Sequence, residues 1–127
     1  KIQIPANLYT IEGAKSYTEV AALMQQHDLF LLYSNYENLP CVIAESLISG
    51  LPVLSSKAGG TAEMVDASSG IIVEAKNNTL LIKQLNYMLD NIEQYNTAEI
   101  AEKAVQKYSY ENVGKQFLSI YQKVLNR

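Results

Sequence analysis

Apolar positions follow two rhythms along the chain, and the rhythm changes after Val73. Up to that point, short apolar runs alternate with segments of helical period. Leu8–Glu12 is predicted as a short strand, ended by Gly13. Ser16 and Glu19 have the S-x-x-E spacing of a capping box, and the helix they open carries Val20, Leu23 and Met24 to about Gln26. Leu29–Ser34 is a continuous apolar run, as expected of a parallel strand buried on both faces. Residues 35–39 form a loop. Pro40 suits the first turn of a helix, where its missing N–H costs nothing. That helix carries Val42, Ile43, Leu47 and Ile48 and stops at Gly50. Pro52–Ser55 is the next buried strand. Residues 57–61 are a loop, Thr61–Val65 is one short helical turn, and Gly70–Val73 is a further strand.

Beyond Val73 only the helical period remains. Leu81, Ile82, Leu85, Met88 and Leu89 predict a helix over 79–91, and two more follow at about 97–107 and 109–126. Strands that alternate with helices predict an α/β layered domain with a parallel sheet. In such sheets ligands bind at the C-terminal ends of the strands. The loops holding Glu37 and Gly59-Gly60 are both expected at that edge.

Composition narrows the partners. The 127 residues suffice for one domain with a core, and the formal net charge of −3 gives no electrostatic case for nucleic acid or an anionic membrane face. No apolar run is long enough to span a bilayer, and the first residues lack the apolar region of a signal peptide. The single cysteine, Cys41, excludes an internal disulfide and suits a reducing, cytoplasmic setting. The chain opens without Met and enters an apolar segment at once, which points to an excised piece of a longer polypeptide. With one His, one Cys and no D-x-D, no metal cluster is visible and no metal dependence is expected.

Glu37 and Glu45 stand eight residues apart around Asn38-Leu39-Pro40, and Gly59-Gly60 follows fourteen residues after Glu45. This layout suits a sugar nucleotide. A helix N-terminus near Leu39-Pro40 binds phosphate through free N–H groups and the positive end of its dipole. Glycines at 59 and 60 let a second loop come close, so the amides of Gly59, Gly60 and Thr61 are candidate donors. Carboxylates accept strong hydrogen bonds from sugar hydroxyl pairs. Glu45 lies roughly 8 Å along the helix at 1.5 Å per residue, with Glu37 before the helix start. Each element alone has a plainer reading: two solvated acids, an ordinary Pro-initiated helix and a glycine turn. His27 reads as a capping or surface group, Cys41 as a small core residue and Lys57 as a solvated lysine. Tyr33 and Tyr36 are the tyrosines nearest the candidate ligand.

The run from Ser34 to Val53, with Glu37 and Glu45, resembles the E-x7-E motif of the retaining group 1 glycosyltransferases, which have the GT-B architecture of two Rossmann-like domains. Gly59-Gly60-Thr61-Ala62-Glu63-Met64-Val65 resembles the family's G-G-x-x-E segment, and Gly70–Val73 its N-G-x-L-V strand, with Ser69 where Asn is common. Tyr9–Gly13 followed by Ser16–Val20 resembles the family's strand–Gly–helix entry, and Tyr108–Glu111 the opening of its last helix. The resemblance covers nearly the whole chain. It implies that residues 1–127 are a single partial C-terminal domain that binds a nucleoside-diphosphate sugar. Glu37 would contact hydroxyls of the donor sugar and take the catalytic part, Glu45 the ribose, and the backbone around Asn38, Leu39 and Pro40 the distal phosphate. Residues 13–15 would border the base.

It also implies what is missing. The family's Arg and Lys that grip the diphosphate follow an earlier strand that this chain lacks, and the acceptor domain of the same polypeptide is absent. The chain alone is therefore expected to bind donor weakly and to be inactive. In the family's strand order 3-2-1-4-5-6 it would keep strands 3, 4, 5 and 6, with Lys1–Pro5 as the tail of a lost helix. Leu8–Glu12 would then pair with Leu29–Ser34, or with another chain as an edge-strand dimer. The implied setting is cytoplasmic, with peripheral contact at the inner membrane face through the missing domain, and polysaccharide synthesis as the pathway class. The alternatives are a non-catalytic α/β binding or interaction module and, less well matched, a sugar-nucleotide epimerase or inverting transferase of the same architecture.

Overall fold

The computed structural model describes residues 5–126. Three strands, β1 (Phe30–Leu32), β2 (Val53–Lys57) and β3 (Gly70–Glu74), form one parallel sheet in the order β1-β2-β3. Phe30 is in register with Val53, and Val53 with Gly70. Six helices surround them: α1 (Tyr17–Met24), α2 (Cys41–Ile48), α3 (Thr61–Met64), α4 (Asn78–Asp90), α5 (Thr97–Tyr108) and α6 (Tyr110–Leu125). Neighbouring residues of β2 point to opposite faces, as the strand period demands. Val53 packs with Ile43 and Leu47 of α2, Met64 of α3, and Ile100 and Ala104 of α5. Leu54 packs with Val73 and with Met88 of α4. The result is a three-layer α/β domain, with its core on both faces of β2.

The local signals act as the sequence predicts. Ser16 and Glu19 form the full capping box of α1. Helix α2 ends in a Schellman motif: Gly50 N–H donates to Leu47 O and Leu51 N–H to Ser46 O, both at 3.0 Å, with Gly50 at φ +79°. Before β3, Ser69 Oγ accepts the Asp66 N–H at 2.9 Å and so closes the turn. The Ser68 hydroxyl, bonded to the Asp66 carboxylate at 2.7 Å, holds that carboxyl below its ordinary range.

Two expectations fail at the β1 side. Leu8–Glu12 is not a strand: residues 6–8 form a 3₁₀ turn, and 9–12 join no sheet. Within the described residues it does not pair with β1, which bonds to β2 alone. Strand β1 is shorter than 29–34 and is not buried on both faces. Among the described residues it bonds only to β2, and Leu31 is 43% exposed. Lys1–Ile4, read as part of a helix tail, lie outside the described residues. At the other end, α6 rests on α5 alone among the helices it touches substantially, and leaves Phe117, Ile120, Tyr121 and Val124 more than half exposed.

Candidate functional site

The site forms where β1 and β2 end. The chain leaves β1 at Leu32, passes through residues 33–40 and enters α2. It leaves β2 at Lys57, passes through 58–60 and enters α3. Both helix N-termini therefore lie at the C-terminal strand edge, as expected for a parallel sheet.

These two helix starts lack what the other helices have. Ser16, Asn77, Asn96 and Ser109 each accept a backbone N–H at the start of α1, α4, α5 and α6. Pro40 and Gly60, at the starts of α2 and α3, provide no side-chain cap. At α2 the Ile43 N–H turns back to Pro40 O at 3.1 Å, and among the described residues no side chain caps the helix start. An eight-residue helix thus presents its positive end to the strand edge.

The structure brings the two loops together. Gly60 N–H donates to Asn38 O at 2.7 Å. A Cβ on Gly59, which sits at φ +53°, would strike the Glu37 carbonyl and come within 2.6 Å of Asn38 O. On Gly60 it would meet Leu39 Cδ1 at 2.6 Å. The glycines are thus the bed on which Glu37, Asn38 and Leu39 lie. This changes one expected role: Gly60 N–H is spent on Asn38, and Thr61 N–H donates to Ala58 O at 3.3 Å, so neither amide is free for a ligand.

Glu37 is half-buried in the first loop and Glu45 half-buried one turn into α2. Among the described residues, neither carboxylate is in an ion pair, in contrast to Lys57–Glu74 at 3.4 Å and Lys103–Glu99 at 2.7 Å. Asn38 and Leu39 are exposed and Pro40 is buried. Lys57 is solvated and paired with Glu74, worth little at that exposure. Tyr33 is tied to the start of α4 through Asn78 Oδ1 at 2.9 Å, whereas Tyr36 is 87% exposed. His27 caps a helix end through Leu23 O at 2.6 Å. Cys41 is exposed, not a core residue, because the first residue of α2 faces away from the sheet. Among the described residues, no three His, Cys, Asp or Glu side chains gather to hold a metal. Among the described residues, no helix is long and apolar enough to cross a membrane.

A cavity of about 360 Å³ lies at the opposite ends of the strands, lined by Met24, His27, Asp28, Gly50, Tyr95 and Thr97 among others. It contains neither glutamate, and its one imidazole is committed to Leu23. The chemistry sits on the more open C-terminal edge. Sequence reasoning named Thr61 for its amide and missed its hydroxyl, together with that of Ser56. Both are fully buried beneath the loops. The available signal was a pair of serines, Ser55 and Ser56, closing an apolar strand run.

Comparison with known proteins gives the family and the fold. A family model described as "Glycosyl transferases group 1" matches residues 3–107. A lipopolysaccharide 1,2-N-acetylglucosaminetransferase of Salmonella typhimurium is 36% identical over 109 residues, covering 83% of this chain and 29% of that protein. The N-acetyl-alpha-D-glucosaminyl L-malate synthase of Bacillus anthracis is 29% identical over 84% of this chain and 29% of its own length. The chain thus spans under a third of these curated relatives. The sucrose-phosphate synthase of Thermosynechococcus elongatus superposes with a TM-score of 0.81 over 95% of this chain and 31% of its own, at 18% identity. That likeness speaks for the fold, the Rossmann-like domain of the GT-B architecture.

Proposed function

The chain belongs to the group 1 glycosyl transferases, and we propose that its share of the reaction is to hold a nucleoside-diphosphate sugar while the glycosyl group passes, with retention, to an acceptor. The observation that carries this is the open N-terminus of α2, with Glu37 before it and Glu45 within it. A diphosphate on that helix end meets free amides and the dipole. The ribose hydroxyls then reach Glu45, and the donor sugar reaches Glu37, each through charge-assisted hydrogen bonds. The Glu37–Leu39 backbone, seated on Gly59 and Gly60, borders the distal phosphate. The leaving diphosphate, stabilised by the helix end, takes the acceptor proton as the front-face attack proceeds. Catalysis is then positioning and stabilisation of leaving-group charge. No metal is invoked.

Residues 1–127 form one part of the donor-binding domain in this reading, and the acceptor site belongs to another part of the same polypeptide. The chain alone turns over no donor and binds it weakly. The reaction takes place on the cytoplasmic side, at the membrane face, in building a surface polysaccharide. That relatives of this chain include an enzyme named for lipopolysaccharide supports the pathway class.

The test is calorimetric titration of the intact polypeptide with UDP- and GDP-sugars, in wild type and Glu45→Ala. The variant is expected to bind the preferred donor about tenfold to a hundredfold more weakly, as befits lost charged hydrogen bonds. Equal affinity in both proteins removes Glu45 from the site. Wild type that binds neither donor favours a non-catalytic interaction module of the same fold.

A further inference from the structure

Beneath the candidate site runs a closed circuit of hydrogen bonds that the donor chemistry does not itself require. Main-chain pairing between β1 and β2 ends at Leu32–Ser55. One residue further, the Ser56 side chain takes over. Ser34 N–H donates to Ser56 Oγ at 2.8 Å, and the Ser56 hydroxyl donates to Ser34 O at 2.6 Å. The Thr61 hydroxyl donates to Ser56 O at 2.8 Å, where the Ser55 hydroxyl adds a longer bond of 3.2 Å. Thr61 Oγ1 in turn accepts the Ala58 N–H at 3.1 Å. Gly60 N–H then returns to the first loop at Asn38 O. The circuit runs from Ser34 along its own loop to Asn38, across to Gly60 and Thr61, and back through Ser56 to Ser34.

Ser56 is 1% exposed and Thr61 0% exposed. Hydroxyls are a costly choice for such places. Their desolvation offsets most of what their hydrogen bonds return, and apolar side chains of similar size would fill the same volume more cheaply. What the hydroxyls add is geometry: each fixes a backbone atom of one loop relative to the other.

We propose that Ser56 and Thr61 are positioning residues that lock the Glu37–Leu39 loop and the Gly59-Gly60 loop into one unit, setting where Glu37 stands relative to the open end of α2. This inference rests on the donor-binding reading above only for its functional consequence; the coupling of the loops stands apart from it.

The experiment uses the intact polypeptide with two substitutions at one position. Thr61→Val keeps the shape and removes the hydroxyl, while Thr61→Ser keeps the hydroxyl and removes the methyl. Hydrogen exchange followed by NMR reads the coupling without any ligand. Exchange at the Gly60 and Ser34 amides should quicken at least tenfold in Thr61→Val and stay near wild type in Thr61→Ser, with Val73 unchanged in both. Should Thr61→Val not fold, Ser56→Ala takes its place, with the same response expected at Gly60, although the Ser56 hydroxyl bonds to Ser34. Unchanged exchange at Gly60 and Ser34, or equal change in the Val and Ser variants, overturns the coupling. Titration with the preferred sugar nucleotide then reads its consequence: about tenfold weaker donor binding in Thr61→Val, restored in Thr61→Ser. Faster exchange with undiminished affinity overturns the positioning role. Faster exchange in a protein whose wild type binds no donor sustains the coupling and overturns the donor-site reading.

Discussion

Helices in this domain begin in two ways. At α4, α5 and α6 a side chain folds over the first turn: Asn77 onto Leu80, Asn96 onto Glu99, Ser109 onto Asn112. At α2 and α3, which start from the C-terminal ends of β1 and β2, Pro40 and Gly60 leave the first turn uncovered. A cap contributes about 1 kcal/mol, so forgoing it is a loss of stability unless the amides serve something else. Capped starts belong to scaffolding, and uncovered starts to the edge where both carboxylates stand. On the proposed reading, the difference at α2 separates a helix start that serves the fold from one that serves the ligand.

Substitutions can break that contrast in order of size. Gly59→Ala should have the greatest effect. A Cβ there meets the Glu37 carbonyl in a left-handed backbone conformation, so the loop must shift. Stability should fall by roughly 2–4 kcal/mol in urea titration, and donor binding should vanish with it. Next comes Pro40→Asp, which puts a carboxylate over the open end of α2. It supplies the missing cap and repels a diphosphate, so affinity for a sugar nucleotide should drop at least tenfold at low salt. Undiminished binding would separate the anion from α2. The smallest effects belong to the capped ends. Asn96→Ala and Ser109→Ala should each lower stability by about 1 kcal/mol and leave donor affinity as it was. A change in affinity there would erase the distinction between the two kinds of helix start.

The features set by neighbours in sequence were legible in the sequence. The Ser16–Glu19 box, the Pro40 start, the Gly50 stop and the three C-terminal helices all depend on contacts within a few residues, and the structure has each of them. What depends on a distant partner was not legible. Leu8–Glu12 has strand-like composition, but a strand exists only through its neighbour, and here none is beside it. Phe30–Leu32 reads as an interior strand and lies at an edge for the same reason. At the site, spacing alone indicated that Glu37, Glu45 and the two glycines share one edge. It did not reveal that Gly60 donates to Asn38, because composition cannot say which of several free amides finds a carbonyl. Nor did it distinguish the hydroxyls of Ser56 and Thr61 from those of other serines and threonines.

Gly50 has a mechanical consequence. A Cβ there would come within 2.8 Å of the Thr97 carbonyl, so the far end of α2 is butted against the start of α5. Along its flank, Ile43 and Leu47 share a core with Ile100 and Ala104. Helix α2 is then a strut about 12 Å long at 1.5 Å per residue, butted against α5 at Gly50 and entered at Cys41 from a loop that rests on Gly60. A push along α2 from the strand edge is therefore met at its far end by the backbone of α5.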